Sequence, residues 1–155
     1  MGSVRPIAEE LGDHPFGRGL RPEHLALLAG CGRNVTLAPG VLVREGDPAD
    51  TFYLLREGVV SLEVHAPGGP PLVVQTLHAG EVLGWSWLFP PHRWTFDARV
   101  VETARAIAFD GACLRGKCEA DHELGYQLMK RVAQVFTTRL QATRMQLLDL
   151  YGPRA

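Results

Sequence analysis

The sequence predicts a mainly β fold, a sandwich or jelly roll, with one long helix at its C-terminal side. Two observations carry this. From residue 33 to about 110, short runs rich in Val, Leu and Thr follow one another, each bounded by Gly, Pro or Asp. That is the pattern of antiparallel strands joined by tight turns, not of βαβ units. From Glu123 to Leu150 there is no proline and a single glycine, Gly125, while apolar residues recur at helical spacing. A third observation concerns function. All three tryptophans fall in one segment, GWSWLFPPHRWTFDAR, residues 84–99.

Taken in order, residues 1–19 read as a loose leader with weak periodicity. RPEHLALLAG, residues 21–30, reads as a short helix: Pro22 suits its first turn, Glu23 its positive end and Gly30 its stop. The strand candidates are 34–38, 41–44, 51–55, 59–64, 71–77, 96–100 and 104–109. The turns between them are PG at 39–40, EGDP at 45–48, EG at 57–58, APGGP at 66–70 and AG at 79–80. The barrel should therefore span about 33–110, within one domain of residues 20–150. The C-terminal helix should span about 120–150. On it, Met129, Ala133, Phe136, Leu140, Thr143, Leu147 and Leu150 form a heptad seam suited to a partner helix. Leu124, Leu128, Val132 and Val135 form a neighbouring stripe suited to the barrel. Gly152 and Pro153 end the helix, and 151–155 read as a tail.

Bulk properties exclude several classes. The chain has 155 residues, 46% apolar and 21% charged, with a formal net charge of −1. This describes one globular domain without a global basic field for nucleic acid or anionic membrane. No apolar run approaches the roughly 20 residues needed to span a bilayer, and the N-terminus lacks a signal-peptide pattern. The expected location is the cytoplasm. Three cysteines, Cys31, Cys113 and Cys118, argue against a disulfide framework and read chiefly as inert thiols. In CLRGKC, residues 113–118, Arg115 and Lys117 could lower a thiol pKa, which leaves a redox switch through Cys113 and Cys118 open. The six histidines fall in no metal-ligating spacing, and no nucleophile motif is present. No metal, no catalytic residue and no enzyme activity are expected.

Two segments, EGDPADTFYLLREG (45–58) and LHAGEVLG (77–84), resemble the cyclic-nucleotide-binding domain of the catabolite activator protein family. The resemblance covers roughly residues 20–150. It implies an eight-stranded jelly-roll barrel with flanking helices, whose last helix closes the ligand pocket and often forms a homodimer. It also implies a phosphate-binding cassette starting at Leu83 and Gly84. Two residues after Leu83 the family usually has a glutamate for the ribose hydroxyl; here Trp85 stands there. With Thr95 matched to the family's Ser or Thr, Trp94 stands where an arginine should pair the phosphate. Ser86 belongs to the same cassette. Thr143, in RLQATR, resembles a threonine at the subunit contact that touches the purine; the residues alone read it as a polar member of the helix seam.

An indole cannot accept the hydroxyl's hydrogen bond and carries no charge for a phosphate. Each loss costs on the order of 2–3 kcal/mol, which predicts weak or no binding of ordinary cyclic AMP and cyclic GMP. Arg93 is one residue from the needed position and should point to the opposite face of an extended segment. Two readings of the cassette remain open: filled by Trp85, Trp87, Trp94 and Phe96 as core, or retuned for another small ligand with Trp85 and Trp94 as aromatic walls and Arg93 facing an acidic group. With four residues after Tyr151 there is no helix-turn-helix, so direct DNA binding is not expected, and Arg131, Arg139 and Arg144 read as a solvated face. The functions in play are a sensory module for a cyclic nucleotide or other small ligand, a ligand-free module that binds another protein, and a thiol redox sensor.

Overall fold

The computed structural model describes residues 5–152; the first four residues of the expected leader, Pro153 and the end of the expected tail lie outside that range. The elements run α1 (Ile7–Asp13), α2 (Pro22–Ala29), β1 (Gly32–Leu37), β2 (Gly40–Val43), β3 (Thr51–His65), β4 (Pro71–Leu77), β5 (Val82–Leu83), β6 (Asp97–Asp110), α3 (Gly111–Ala120) and α4 (His122–Tyr151). The strands form one antiparallel sheet in the order β1-β6-β3-β4, with β2 added on β6 and β5 on β3.

The architecture is the expected mainly-β one, and the strand count has a physical origin. The runs 51–55 and 59–64 are one continuous strand, as are 96–100 and 104–109. The Glu57–Gly58 pair is not a reversal. β3 stays paired with β6 through it, with register shifts on both sides of residue 57. Gly58 has φ +94° and lies so close to β6 that a Cβ there would be 2.5 Å from Ala104 Cα. Only glycine fits such a bend. Counting the halves of β3 and β6 separately gives the eight segments of a jelly roll.

The sheet divides two cores. Phe52, Leu54, Ile107 and Phe109 face a helix-side cluster with Leu11, Leu28, Leu114, Leu124, Leu128 and Val132. Leu55, Val60, Leu62, Ala98, Val100, Ala104 and Ala106 face a second cluster inside the roll. The expected loose leader is structured from Ile7 onward: α1 buries Leu11 in the helix-side core. Two turns of helix are too short to show a period in sequence.

Asp110 accepts from the Cys113 N–H and starts α3, and Asp121 accepts from the Leu124 N–H and starts α4. α4 buries Leu124, Leu128 and Val132 against the barrel. Beyond Arg139 it leaves the domain surface, and Leu140 and Leu147 are 71% and 51% exposed. Among the described residues, no helix is long and apolar enough to cross a membrane.

The cysteines depart from expectation. Cys31 and Cys113 form a disulfide across 82 residues of sequence, while Cys118 is free. Cys113 and Cys118 are five residues apart on α3, so they project about 140° from one another and do not form a pair. The end of β6 instead meets the start of β1, where the Asp110 N–H donates to Cys31 O at 2.9 Å. Burial, with Glu119 and Asp121 nearby, pushes the Cys118 thiol pKa up, the opposite of a reactive thiolate.

Candidate functional site

The cassette begins where β4 turns into β5. Gly80 takes φ +91°, Glu81 accepts from the His78 N–H at 2.7 Å, and β5 pairs Leu83 with Tyr53. Gly84 follows with φ +92°, and a Cβ on it would sit 2.4 Å from Trp94 Cη2 and 3.1 Å from Thr51 O. Trp94 is 3% exposed and lies in the roll's interior cluster with Leu83, Ala98, Ala104 and Ala106. Its ring meets Phe96 edge to face at 6.0 Å.

The backbone on both sides of this ring is fastened to the EGDP segment. The Trp94 N–H donates to Asp47 O, the Gly46 N–H donates to Trp94 O, and the Ala49 N–H donates to His92 O, at 2.7–2.9 Å. Arg93 is exposed and gives Nη1 to Gly46 O at 2.8 Å. Its guanidinium lies outside while the next side chain lies inside, as alternation along an extended segment requires. Arg99, the segment's other arginine, pairs with the buried Glu63 at 3.3 Å. Thr95 is exposed and Ser86 is buried.

The three tryptophans do not share one pocket. Trp87 is buried on the helix side of the sheet, 5.6 Å from the Phe52 ring. Trp85 is half-buried and meets Phe136 of α4 edge to face, with centroids 5.1 Å apart and planes at 86°. The two residues expected as aromatic walls of a retuned site lie apart: Trp94 is inside the roll, and Trp85 is against α4. A buried ring of this size takes the nearest apolar contact, and the turn at Gly84 sends successive side chains to different layers. Thr143 lies on the exposed part of α4, where its hydroxyl donates to Arg139 O at 2.9 Å.

Two residues read as solvated from sequence are not. Arg131 donates Nε to Phe16 O at 2.7 Å and Nη2 to Arg18 O at 2.8 Å. Arg139 donates Nη2 to Val82 O, and its Nη1 is buried without a hydrogen-bond partner among the described residues. Burial lowers the pKa of both guanidiniums; for Arg139 the charge of Glu81 opposes that shift. Arg144 is exposed as expected. Arg139 opens the RLQATR run, but neither that run nor any motif at Arg131 reveals what the two guanidiniums touch, because their surroundings come from three separate segments. Among the described residues there is no cluster of three metal-ligating side chains.

A family model described as cyclic nucleotide-binding domain matches residues 37–121. The chain is 28% identical over 134 residues to the CRP-like cAMP-activated global transcriptional regulator of Mycobacterium tuberculosis, covering 86% of this chain and 58% of that one. It is 38% identical over 78 residues to the acetyltransferase Pat of Mycolicibacterium smegmatis, covering 50% of this chain and 23% of that one. The chain thus spans little more than half of the first relative and about a quarter of the second. Among solved structures, a protein from Geobacter metallireducens GS-15 described as cyclic nucleotide-binding superposes with a TM-score of 0.77 at 29% identity, covering 89% of this chain and 99% of that one.

Proposed function

The chain belongs to the cyclic nucleotide-binding domain family, and on that footing we propose that it is a regulatory module whose own tryptophan occupies the cassette, so that ordinary cyclic AMP and cyclic GMP do not bind there. The observation that carries this reading is the Trp94 ring, 3% exposed and seated against Gly84. Gly84 has no side chain, so its backbone is open to close approach from inside the roll. Here the approach is made by an indole of the same chain. A nucleotide phosphate at that place would have to expel Trp94 and would find no guanidinium, since Arg93 is turned to Gly46 O and Arg99 is paired with Glu63.

In this reading residues 20–150 act as one unit, and Leu83, Gly84, Ser86 and Trp94 are a packed remnant of a ligand site, with Thr95 exposed at its rim. Trp85 connects the cassette to α4 through Phe136. The output is α4 itself. Its seam from Met129 to Leu150 pairs with a second copy, and Thr143 sits in that contact. The module is non-enzymatic, acts in the cytoplasm, and influences other proteins rather than touching DNA directly.

The test follows melting temperature while cyclic AMP and cyclic GMP are raised to millimolar levels. Binding to the native state alone raises the melting temperature by mass action. The expected result is no shift with either nucleotide. A saturable rise would overturn the filled-cassette reading and point to a cassette that opens, with Arg93 swinging to the phosphate.

A further inference from the structure

A groove of about 230 Å3 runs between α4, the β4–β5 turn and the segment joining α1 to α2. Phe16, Val82 and Val135 form its apolar wall. All three belong to, or pack against, the helix-side cluster, whereas Trp94 and Leu83 belong to the cluster inside the roll. The groove is therefore a different place from the filled cassette.

Arg131 and Arg139 both line it, and neither is in a salt bridge among the described residues. Arg131 uses its donors on the Phe16 and Arg18 carbonyls and on Gln127. Arg139 has one donor on Val82 O and leaves Nη1 buried with no acceptor. A buried charged donor without an acceptor is costly, and structures rarely keep one without cause. Nη1 itself is closed off from the groove, so an anion there would meet the part of Arg139 that lines the groove and supply the counter-charge that no carboxylate among the described residues gives it by a salt bridge.

We infer that this groove binds a small amphipathic carboxylate, its carboxylate on Arg139 and its apolar body against Phe16, Val82 and Val135. Three features narrow the ligand class. Glu81 lines the groove beside the two arginines, so one positive charge is left unmatched, which favours a monoanion over a doubly charged phosphate ester. The wall is apolar, which favours a hydrocarbon or aromatic body. The volume lies below the ~300 Å3 typical of drug-sized sites, which favours a short chain. Arg139 also joins α4 to β5 just before the Leu83–Gly84 turn, so the occupant bears on how firmly α4 lies on the barrel. A ligand that prefers the docked helix shifts the population toward it.

The experiment is calorimetric titration with octanoate and with octanamide, its uncharged counterpart, on the wild type, Arg139→Gln and Thr138→Trp. Thr138 is exposed and lines the groove, so the indole fills the space while the charges stay in place. Octanoate is expected to bind one saturable site on the wild type, at least tenfold tighter than octanamide. Arg139→Gln should weaken it at least tenfold, and Thr138→Trp should abolish it with helical circular dichroism unchanged. No octanoate binding up to millimolar concentration, equal binding of octanamide, or unaltered binding to Thr138→Trp would each overturn the proposal. Tighter binding of phenyl phosphate than of octanoate would overturn the monoanion assignment. Arg139→Gln is not decisive alone if it fails to fold; Thr138→Trp then decides.

Discussion

Trp94 Cη2 occupies the space into which a Cβ on Gly84 would project, at a separation of 2.4 Å. Gly84 also needs φ +92°, so the turn and the ring depend on the same missing side chain. Gly84→Ala is expected to destabilise by about 2–4 kcal/mol through strain and overpacking, and Trp94→Ala by about 3–5 kcal/mol through the cavity it leaves. If the two residues are coupled through this contact, the double variant should cost clearly less than the sum. Urea melts of the four proteins measure this. Strict additivity would contradict the coupling.

The disulfide makes a separate prediction. Cys31–Cys113 closes 82 residues of sequence, and chain entropy alone assigns such a loop roughly 4–5 kcal/mol. Cys31→Ser should therefore melt well below the oxidised wild type and match the wild type under reductant. Cys118→Ser should leave the melting temperature nearly unchanged. A redox reading survives here only through Cys31 and Cys113, not through the neighbouring pair 113 and 118.

Stability should also fall below neutral pH because of His14. The ring is buried; it accepts the Phe16 N–H on Nδ1 at 3.1 Å and donates from Nε2 to Leu55 O at 3.0 Å. That arrangement needs the neutral ring, and burial lowers its pKa from 6.5. The unfolded chain thus takes up the proton first as pH drops. Stability from this group is present above pH 6.5 and is lost progressively as pH falls from 6.5 toward the folded pKa. Denaturant melts from pH 8 to 5 should show the loss, and His14→Gln should flatten it.

The far end of α4 gives a test of assembly. Leu140 and Leu147 are exposed on the seam and touch no core. Leu140→Glu with Leu147→Glu should leave the fold and melting curve of the barrel intact while shifting sedimentation from dimer to monomer. A monomeric wild type would remove self-pairing as the output.

The antiparallel sheet was readable because turn glycines and short apolar runs report directly on backbone geometry. Gly58 was the exception. A glycine at a close crossing and a glycine at a reversal look alike in sequence; only the approach of Ala104 separates them. The C-terminal helix was readable because thirty residues give the period many repeats, whereas α1 has seven. The cassette was readable by position but not by direction: the run Gly84–Phe96 placed the tryptophans together, but the turns between residues 86 and 91 carry the chain from the helix-side cluster, where Trp85 and Trp87 pack, to the interior of the roll, where Trp94 lies. Arg139 and its groove were not readable, since Phe16, Glu81 and Arg139 meet only in the folded chain.

Whether Trp94 fills the cassette is decided by isothermal titration of the wild type with cyclic AMP to millimolar concentration, with tryptophan emission followed on the same samples. A filled cassette predicts no saturable heat and no change in emission, because Trp94 keeps its apolar surroundings. Saturable heat with a matching emission change would mean that Trp94 leaves the roll when the nucleotide enters, and that the cassette is not permanently filled.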